Sequence, residues 1–123
     1  MNLELDRQIA AICGLEIKGV TLQEFLMIDE PGTDKGDNKN VLFSPSRMTD
    51  SALFAIRGFC YPRKMEWVLY EKPGTEVYLC EIAKLSKTRD RKAQGLNKDV
   101  AMAICQAILA AAEKENNHAI KNI

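Results

Sequence analysis

The sequence predicts a three-layer α/β/α sandwich, a mixed α/β domain in which a small antiparallel sheet is covered by helices. Apolar residues recur at helical spacing in three stretches, and a β-hairpin pattern lies between the second and third stretches. The first strand of that hairpin carries apolar side chains on both faces, which favours a sheet covered on both sides. At 123 residues the chain has the length of one domain, predicted to span residues 1–123.

The N-terminal third is predicted to contain a helix, a strand and a loop. Leu5 and Ile9 recur at the spacing of one helical face, and Gly14 provides a stop for that helix. Residues 22–28 are short, apolar and free of Gly and Pro, which is typical of a strand. Residues 29–40 combine most of the turn-forming residue types and are predicted to form a surface loop.

The middle of the chain is predicted to contain a second helix and a hairpin. Residues 49–60 place their large apolar side chains on one helical face. Residues 64–70 and 77–83 flank a Pro73-Gly74 turn and read as the two strands of a β-hairpin. Residues 84–97 are polar and basic, and they are predicted to form a connection without regular structure.

The last element is predicted to be a long helix with Asn97 as its N-cap, running to about Glu115. Its many alanines make a smooth surface, which permits close approach of the chain's own sheet or of a helix from a second copy. We therefore expect a homo-oligomer. Residues 116–123 are expected to form a frayed tail.

Composition sets the expected compartment and partners. Seventeen basic and seventeen acidic side chains cancel, so binding to a long nucleic acid is not expected. The chain lacks an apolar run long enough to cross a bilayer and lacks a signal-peptide pattern at its start, so a cytoplasmic location is expected. The four cysteines are far apart and without nearby histidine, which favours reduced core thiols over a metal site. No cofactor, metal or catalytic constellation is predicted, so we expect a binding protein rather than an enzyme.

Concentrated positive charge marks the candidate site for an anionic ligand. Residues 84–98 carry six positive charges against one negative charge in a chain that is otherwise balanced. Arg89 and Arg91 are the best candidates there, because a guanidinium donates two parallel hydrogen bonds to phosphate. The alternative is a solvated loop whose charges only aid solubility.

Two further groups precede or begin the second helix. Ser44, Ser46 and the unpaired amides at the start of that helix form a potential anion seat, with simple helix capping as the alternative. Arg57 lies off the apolar face of the helix, where it is either a solvated arginine or a phosphate contact.

The start of the hairpin supplies cations and an aromatic plane. Arg63, Lys64 and Trp67 are the side-chain types that hold a nucleotide by charge and stacking. Since Trp67 alternates with Met65 and Leu69, burial in the core is the competing interpretation.

Three stretches resemble, in the same order, motifs of the phage ABA-sandwich family. They are Leu-Asp-Arg-Gln-Ile-Ala at residues 5–10, Phe-Ser-Pro-Ser at 43–46 and Val-Ala-Met-Ala-Ile-Cys-Gln-Ala-Ile-Leu at 100–109. The resemblance implies an α/β/α sandwich of phage origin. Within that family the chain is similar to the Thoeris anti-defence sponge proteins.

The resemblance also implies a function. Such sponges bind and sequester a cyclic nucleotide immune signal, of the cyclic ADP-ribose type or a cyclic oligonucleotide, without cleaving it. They act in the cytoplasm of the infected bacterium and assemble as homo-oligomers, which makes a dimer or hexamer the expectation here. Asn97 and Gln106 complete the candidate ligand-binding residues, although many relatives carry a basic residue in place of Gln106. The alternative is a small phage adaptor that binds a host protein, and a nuclease or cyclic-nucleotide hydrolase is a third class.

Overall fold

The computed structural model describes residues 2–29, 40–84 and 93–121, without the side chains of 116–121. The described residues form three helices and two antiparallel three-stranded sheets, so the predicted mixed α/β class is confirmed and the elements build an α/β sandwich. In chain order, the elements are α1 (Asn2–Ile12), β1 (Gly19–Val20), β2 (Leu26–Asp29), β3 (Asn40–Phe43), α2 (Thr49–Arg63), β4 (Met65–Glu71), β5 (Tyr78–Lys84), β6 (Ala93–Asn97) and α3 (Val100–Lys121).

The first sheet has the order β1-β2-β3 and was only partly predicted. The strand expected over residues 22–28 begins at Leu26, because a turn closed by the hydrogen bond from the Thr21 amide to the Phe25 carbonyl precedes it. Asp29 and Asn40 pair with each other, so both ends of the predicted loop belong to strands. Residues 30–39 of that loop lie outside the described residues.

The second sheet contains the predicted hairpin and one strand that was not predicted. β4 and β5 pair from Met65↔Lys84 to Glu71↔Tyr78, which confirms the hairpin. β6 then pairs with β5 on its other side, so the sheet order is β4-β5-β6. The expectation of an irregular connection over residues 84–97 was therefore wrong for Lys84 and for β6, whereas residues 85–92 lie outside the described residues.

α2 and α3 pack against one face of the second sheet, which we call the inner face. Within it, Cys80 and Ile82 of β5 are almost completely buried. α3 lies so close to β6 that a Cβ atom added to Gly95 would be 2.6 Å from the Ala107 amide nitrogen. The alanine surface of α3 is thus used by the chain's own sheet, since Ala103 and Ala107 are fully buried there.

The opposite face of the second sheet, which we call the outer face, is partly exposed, whereas both faces of the sheet were expected to be covered. Val68, Tyr70 and Leu96 lie on this face with 50%, 43% and 51% of their surface exposed. Directly paired residues of antiparallel strands share a face, and Tyr70, Leu79 and Leu96 are paired in one row. Among the described residues, no helix packs on this row.

The helix boundaries follow local capping. α2 ends at Arg63, and the following residue Lys64 is its C-cap, which takes the left-handed conformation and donates its amide hydrogen to the carbonyls of Cys60 and Tyr61. The predicted N-cap of the last helix was wrong by two residues, because Asp99 Oδ1 accepts the Ala101 amide hydrogen at 2.9 Å. α3 continues to Lys121, beyond the predicted end near Glu115.

Candidate functional site

Two exposed lysines lie at neighbouring strand ends on one side of the second sheet. Lys64 links α2 to β4, and Lys84 is the last residue of β5. Because Met65 pairs with Lys84, the backbone at residue 64 lies next to that strand end. Within the described part of the chain, no ion pair joins either lysine to a carboxylate. We call Arg63, Lys64 and Lys84 the basic end.

The conformation of Lys64 is costly for its residue type. Its φ of 54° lies in the left-handed region, where an L-residue with a side chain loses roughly 1–2 kcal/mol relative to ordinary helical backbone. Glycine is the usual residue at this position of a helix terminus. The chain therefore places an ammonium group here at the expense of stability, although the cation also interacts favourably with the negative end of the α2 dipole.

Arg63 is fixed at the basic end by three interactions. Its Nε atom lies 2.8 Å from Oε1 of Glu115, which joins α2 to α3. One terminal nitrogen donates to the Phe59 carbonyl at 2.9 Å, and the guanidinium lies 4.0 Å from the centre of the Phe59 ring. The charge of Arg63 is thus largely balanced by Glu115, and the net positive charge of the basic end rests on Lys64 and Lys84.

The other candidates on α2 and β4 differ in accessibility. Arg57 is exposed on α2, about 9 Å along the helix axis from Arg63. Trp67 lies half-buried on the inner face and packs against the core. This favours its interpretation as a core residue over its interpretation as a stacking surface for a nucleotide. Arg89 and Arg91 lie outside the described residues.

Ser44 and Ser46 are buried, and a carboxylate of the same chain lies against them. Asp6 is fully buried, accepts the Ser44 hydroxyl hydrogen at 2.6 Å and accepts the Ser46 amide hydrogen at 2.8 Å. A second anion placed there would meet this carboxylate, so the geometry does not favour an external phosphate. Among the described residues, the Ser46 hydroxyl oxygen is buried without a hydrogen-bond partner.

Arg47 completes this network from the surface. Its Nε atom donates to Ser44 Oγ at 2.9 Å, and its terminal nitrogens donate to the carbonyls of Gln23 and Glu24. The guanidinium also lies 3.8 Å from the centre of the Phe25 ring. Arg47 therefore fixes the turn between β1 and β2 to the start of α2, a role that the sequence analysis missed.

Asn97 and Gln106 lie away from the basic end. Asn97 ends β6 opposite Tyr78, and its Oδ1 atom accepts the Asp99 amide hydrogen at 2.9 Å. Gln106 Oε1 accepts the Leu96 amide hydrogen at 3.2 Å and so joins α3 to the free side of β6. The described candidates thus lie in separate places, and the basic end is the one that contains the exposed Lys64 together with the exposed Lys84.

The thiols are suited to packing rather than to reactivity. Burial raises the pKa of Cys13 and Cys60 to about 11 and that of Cys80 and Cys105 to about 12. Cys13 Sγ also donates to the Ala55 carbonyl at 3.3 Å. In the described ranges, no group of three or more potential metal ligands is present.

An apolar cleft lies between the first sheet and α2. Its volume is about 220 Å³, and Ile28, Phe43, Met48 and Phe54 line most of it together with neighbouring residues. Few polar groups face this space, so it offers little to a phosphate.

No protein-family model matches the chain, and no curated protein matches it. Of the helices that the structure describes, none has the length and apolar character that crossing a membrane requires.

Proposed function

We propose that this chain binds a phosphate-bearing cyclic nucleotide at the basic end and holds it without chemical change. The pairing of Met65 with Lys84 carries the proposal, because it brings the backbones of two exposed lysines, Lys64 and Lys84, to neighbouring strand ends. Among the described residues, no carboxylate forms an ion pair with either lysine. An anion bound near these two strand ends is attracted by both positive charges. A phosphate or pyrophosphate group has the negative charge and the acceptor oxygens to bind both lysines.

The basic end is also where the most basic segment joins the sheet. Residues 85–92 connect Lys84 to Ala93, and Ala93 pairs with Ile82 near the same end. The segment that contains Arg89 and Arg91 thus starts and ends near the basic end, which is compatible with the expectation that these arginines bind phosphate there. That expectation stays a prediction. Arg57 remains a candidate for a more distant phosphate.

The choice of a cyclic nucleotide among phosphate compounds rests on the sequence resemblance to the phage ABA-sandwich family. In this proposal the protein acts in the cytoplasm of an infected bacterium by stoichiometric capture. The concentration of free signal falls below the dissociation constant of its effector, so slow release matters more than catalysis.

Titration calorimetry with cyclic ADP-ribose and with a cyclic dinucleotide tests the proposed site. Lys64→Gly and Lys84→Ala should each weaken binding by about one to two decades, since a charge-assisted bond to phosphate is worth roughly 1.5–3 kcal/mol. Lys72→Ala is the matched control, because Lys72 is exposed at the hairpin turn, at the far end of the same strands. The proposed site is wrong if all three variants bind like the parent, or if Lys72→Ala weakens binding as much as the other two.

A second candidate function is that of an adaptor that binds a host protein. The exposed row on the outer face favours it, because Tyr70 and Leu96 are large apolar side chains that lie on either side of Leu79. Calorimetry separates the two functions, since an adaptor has no affinity for the cyclic nucleotides.

A further inference from the structure

β4 is an edge strand, and within the described part of the chain it pairs with β5 alone. The Lys72 amide donates to the Val77 carbonyl, so backbone groups that bond to β5 occur at every second residue counted back from Lys72. The remaining N–H and C=O groups point away from the sheet. They belong to Met65, Trp67, Leu69 and Glu71.

The two edges of this sheet are protected to different degrees. On β6, the outward amide of Leu96 is bonded to Gln106, and α3 lies directly over Gly95. β4 has the sequence Met-Glu-Trp-Val-Leu-Tyr-Glu, which lacks the lysine and proline that commonly protect exposed edges. Its seven residues are a long template for a further strand.

Apolar side chains along β4 are incompletely buried on both faces. On the inner face, Trp67 and Leu69 are only half-buried, whereas Cys80 and Ile82 on the neighbouring strand are 0% and 2% exposed. On the outer face, Val68 is 50% exposed. A strand placed beside β4 would cover apolar surface on both faces at once.

We propose that β4 of a second copy of this chain pairs antiparallel with β4, across a two-fold axis at Val68, to form one continuous six-stranded sheet. In this register Trp67 faces Leu69 of the partner subunit, and their outward backbone groups bond to each other. Glu66 faces Tyr70 of the partner subunit, and Met65 faces Glu71 of the partner subunit.

The strand's own sequence selects a second copy as the occupant. Its centre at residues 67–69 is apolar on both sides of the axis, so a two-fold partner supplies apolar neighbours on both faces. The only charged residues, Glu66 and Glu71, face uncharged side chains in this register, so no carboxylate meets another. The proposal is independent of phosphate binding, since the basic end is not required for it.

The mass of the full chain in solution, measured by light scattering at micromolar concentration, tests the pairing. The parent should have twice the single-chain mass of 13.8 kDa. Val68→Lys should reduce the mass to that of one chain, because it places two ammonium groups opposite each other at the axis. Leu96→Lys should remain dimeric, since Leu96 has nearly the same exposure on the same face but lies on the other edge strand.

Mixing the variants Val68→Lys and Val68→Glu distinguishes a two-fold pairing from other associations. The mixture should recover the dimer mass, because opposite charges then meet at the axis, whereas each variant alone stays monomeric. Circular dichroism confirms that every variant is folded. A monomeric parent, a dimer that persists in Val68→Lys, or equal dissociation of the Val68→Lys and Leu96→Lys variants would each overturn the proposal.

Discussion

At Gly95, the packing of α3 on the second sheet leaves no room for a side chain. In Gly95→Ala, the new Cβ atom would be 2.6 Å from the Ala107 amide nitrogen, 2.9 Å from Gln106 Cβ and still closer to the Ala103 carbonyl oxygen. Ordinary contacts begin near 3.4 Å, so relieving the contact with the Ala107 nitrogen alone requires α3 and β6 to separate by about 0.8 Å, and the closer Ala103 oxygen requires more. The atoms that must move are mostly backbone, so no change of rotamer relieves the clash.

This separation would loosen the core beneath α3. Overpacking costs typically 1–3 kcal/mol, and the rigid backbone neighbours place this site at the upper end, about 3 kcal/mol. Because small domains have roughly 5–15 kcal/mol of stability in total, the loss is a large fraction. It corresponds to a melting temperature lower by about 10 °C.

Urea unfolding followed by circular dichroism measures this loss, and Gly58→Ala is the matched control. Gly58 lies exposed on α2, and a Cβ atom added there meets nothing within 4 Å. Alanine should stabilise that helix by about 0.5–1 kcal/mol, so the same substitution has opposite signs at the two glycines. If Gly95→Ala unfolds at the same urea concentration as the parent or higher, the close contact between α3 and β6 is wrong.

Three further predictions concern the buried network, the helix cap and the thiols. Asp6→Ala should lower the free energy of unfolding, measured in urea, by about 3 kcal/mol, because it leaves the buried Ser46 amide without its acceptor. A loss below about 1 kcal/mol would contradict that network. Lys64→Gly should raise the free energy of unfolding by about 1 kcal/mol, since glycine adopts a positive φ without strain, and a less stable variant would refute the strained cap. With the pKa of Cys80 and Cys105 raised to about 12, their alkylation by iodoacetamide at pH 8 should be at least a few hundredfold slower in the native protein than in urea. Comparable alkylation rates in the native and the unfolded protein would contradict this burial. Because folding favours the protonated thiols, their contribution to stability is present below about pH 9 and is lost as the pH rises toward 12.

The hairpin and the helices were predictable because their patterns are local. Alternating apolar residues on both sides of Pro73-Gly74 and apolar residues at helical spacing depend only on neighbours along the chain. β6 was missed because Ala-Gln-Gly-Leu-Asn has little strand character of its own. Its glycine is required by the approach of α3, a tertiary contact that the sequence alone does not reveal. The sequence does not separate Asn97 from Asp99 as the N-cap of α3, because both residue types cap helices equally well.

The site was harder to predict because charge alone does not show which residues meet. Arg63 and Lys64 are adjacent in sequence, yet the first is balanced by Glu115 and the second is exposed. Ser44 and Ser46 looked available for an anion because a buried carboxylate on α1 was not anticipated. A signal for it exists, since Asp6 shares a helical face with Ile9 and Ala10, where an acidic residue is unusual.

The proposed capture of a cyclic nucleotide is tested most directly by incubating the purified protein with cyclic ADP-ribose or a cyclic dinucleotide, removing free ligand, heating the protein and identifying the released compound by mass spectrometry. We predict that one of these compounds is retained in stoichiometric amounts and released chemically intact, and that Lys84→Ala retains much less of it than Lys72→Ala. Release of an altered product would show an enzyme instead. Retention of neither compound would contradict capture altogether and would favour an adaptor.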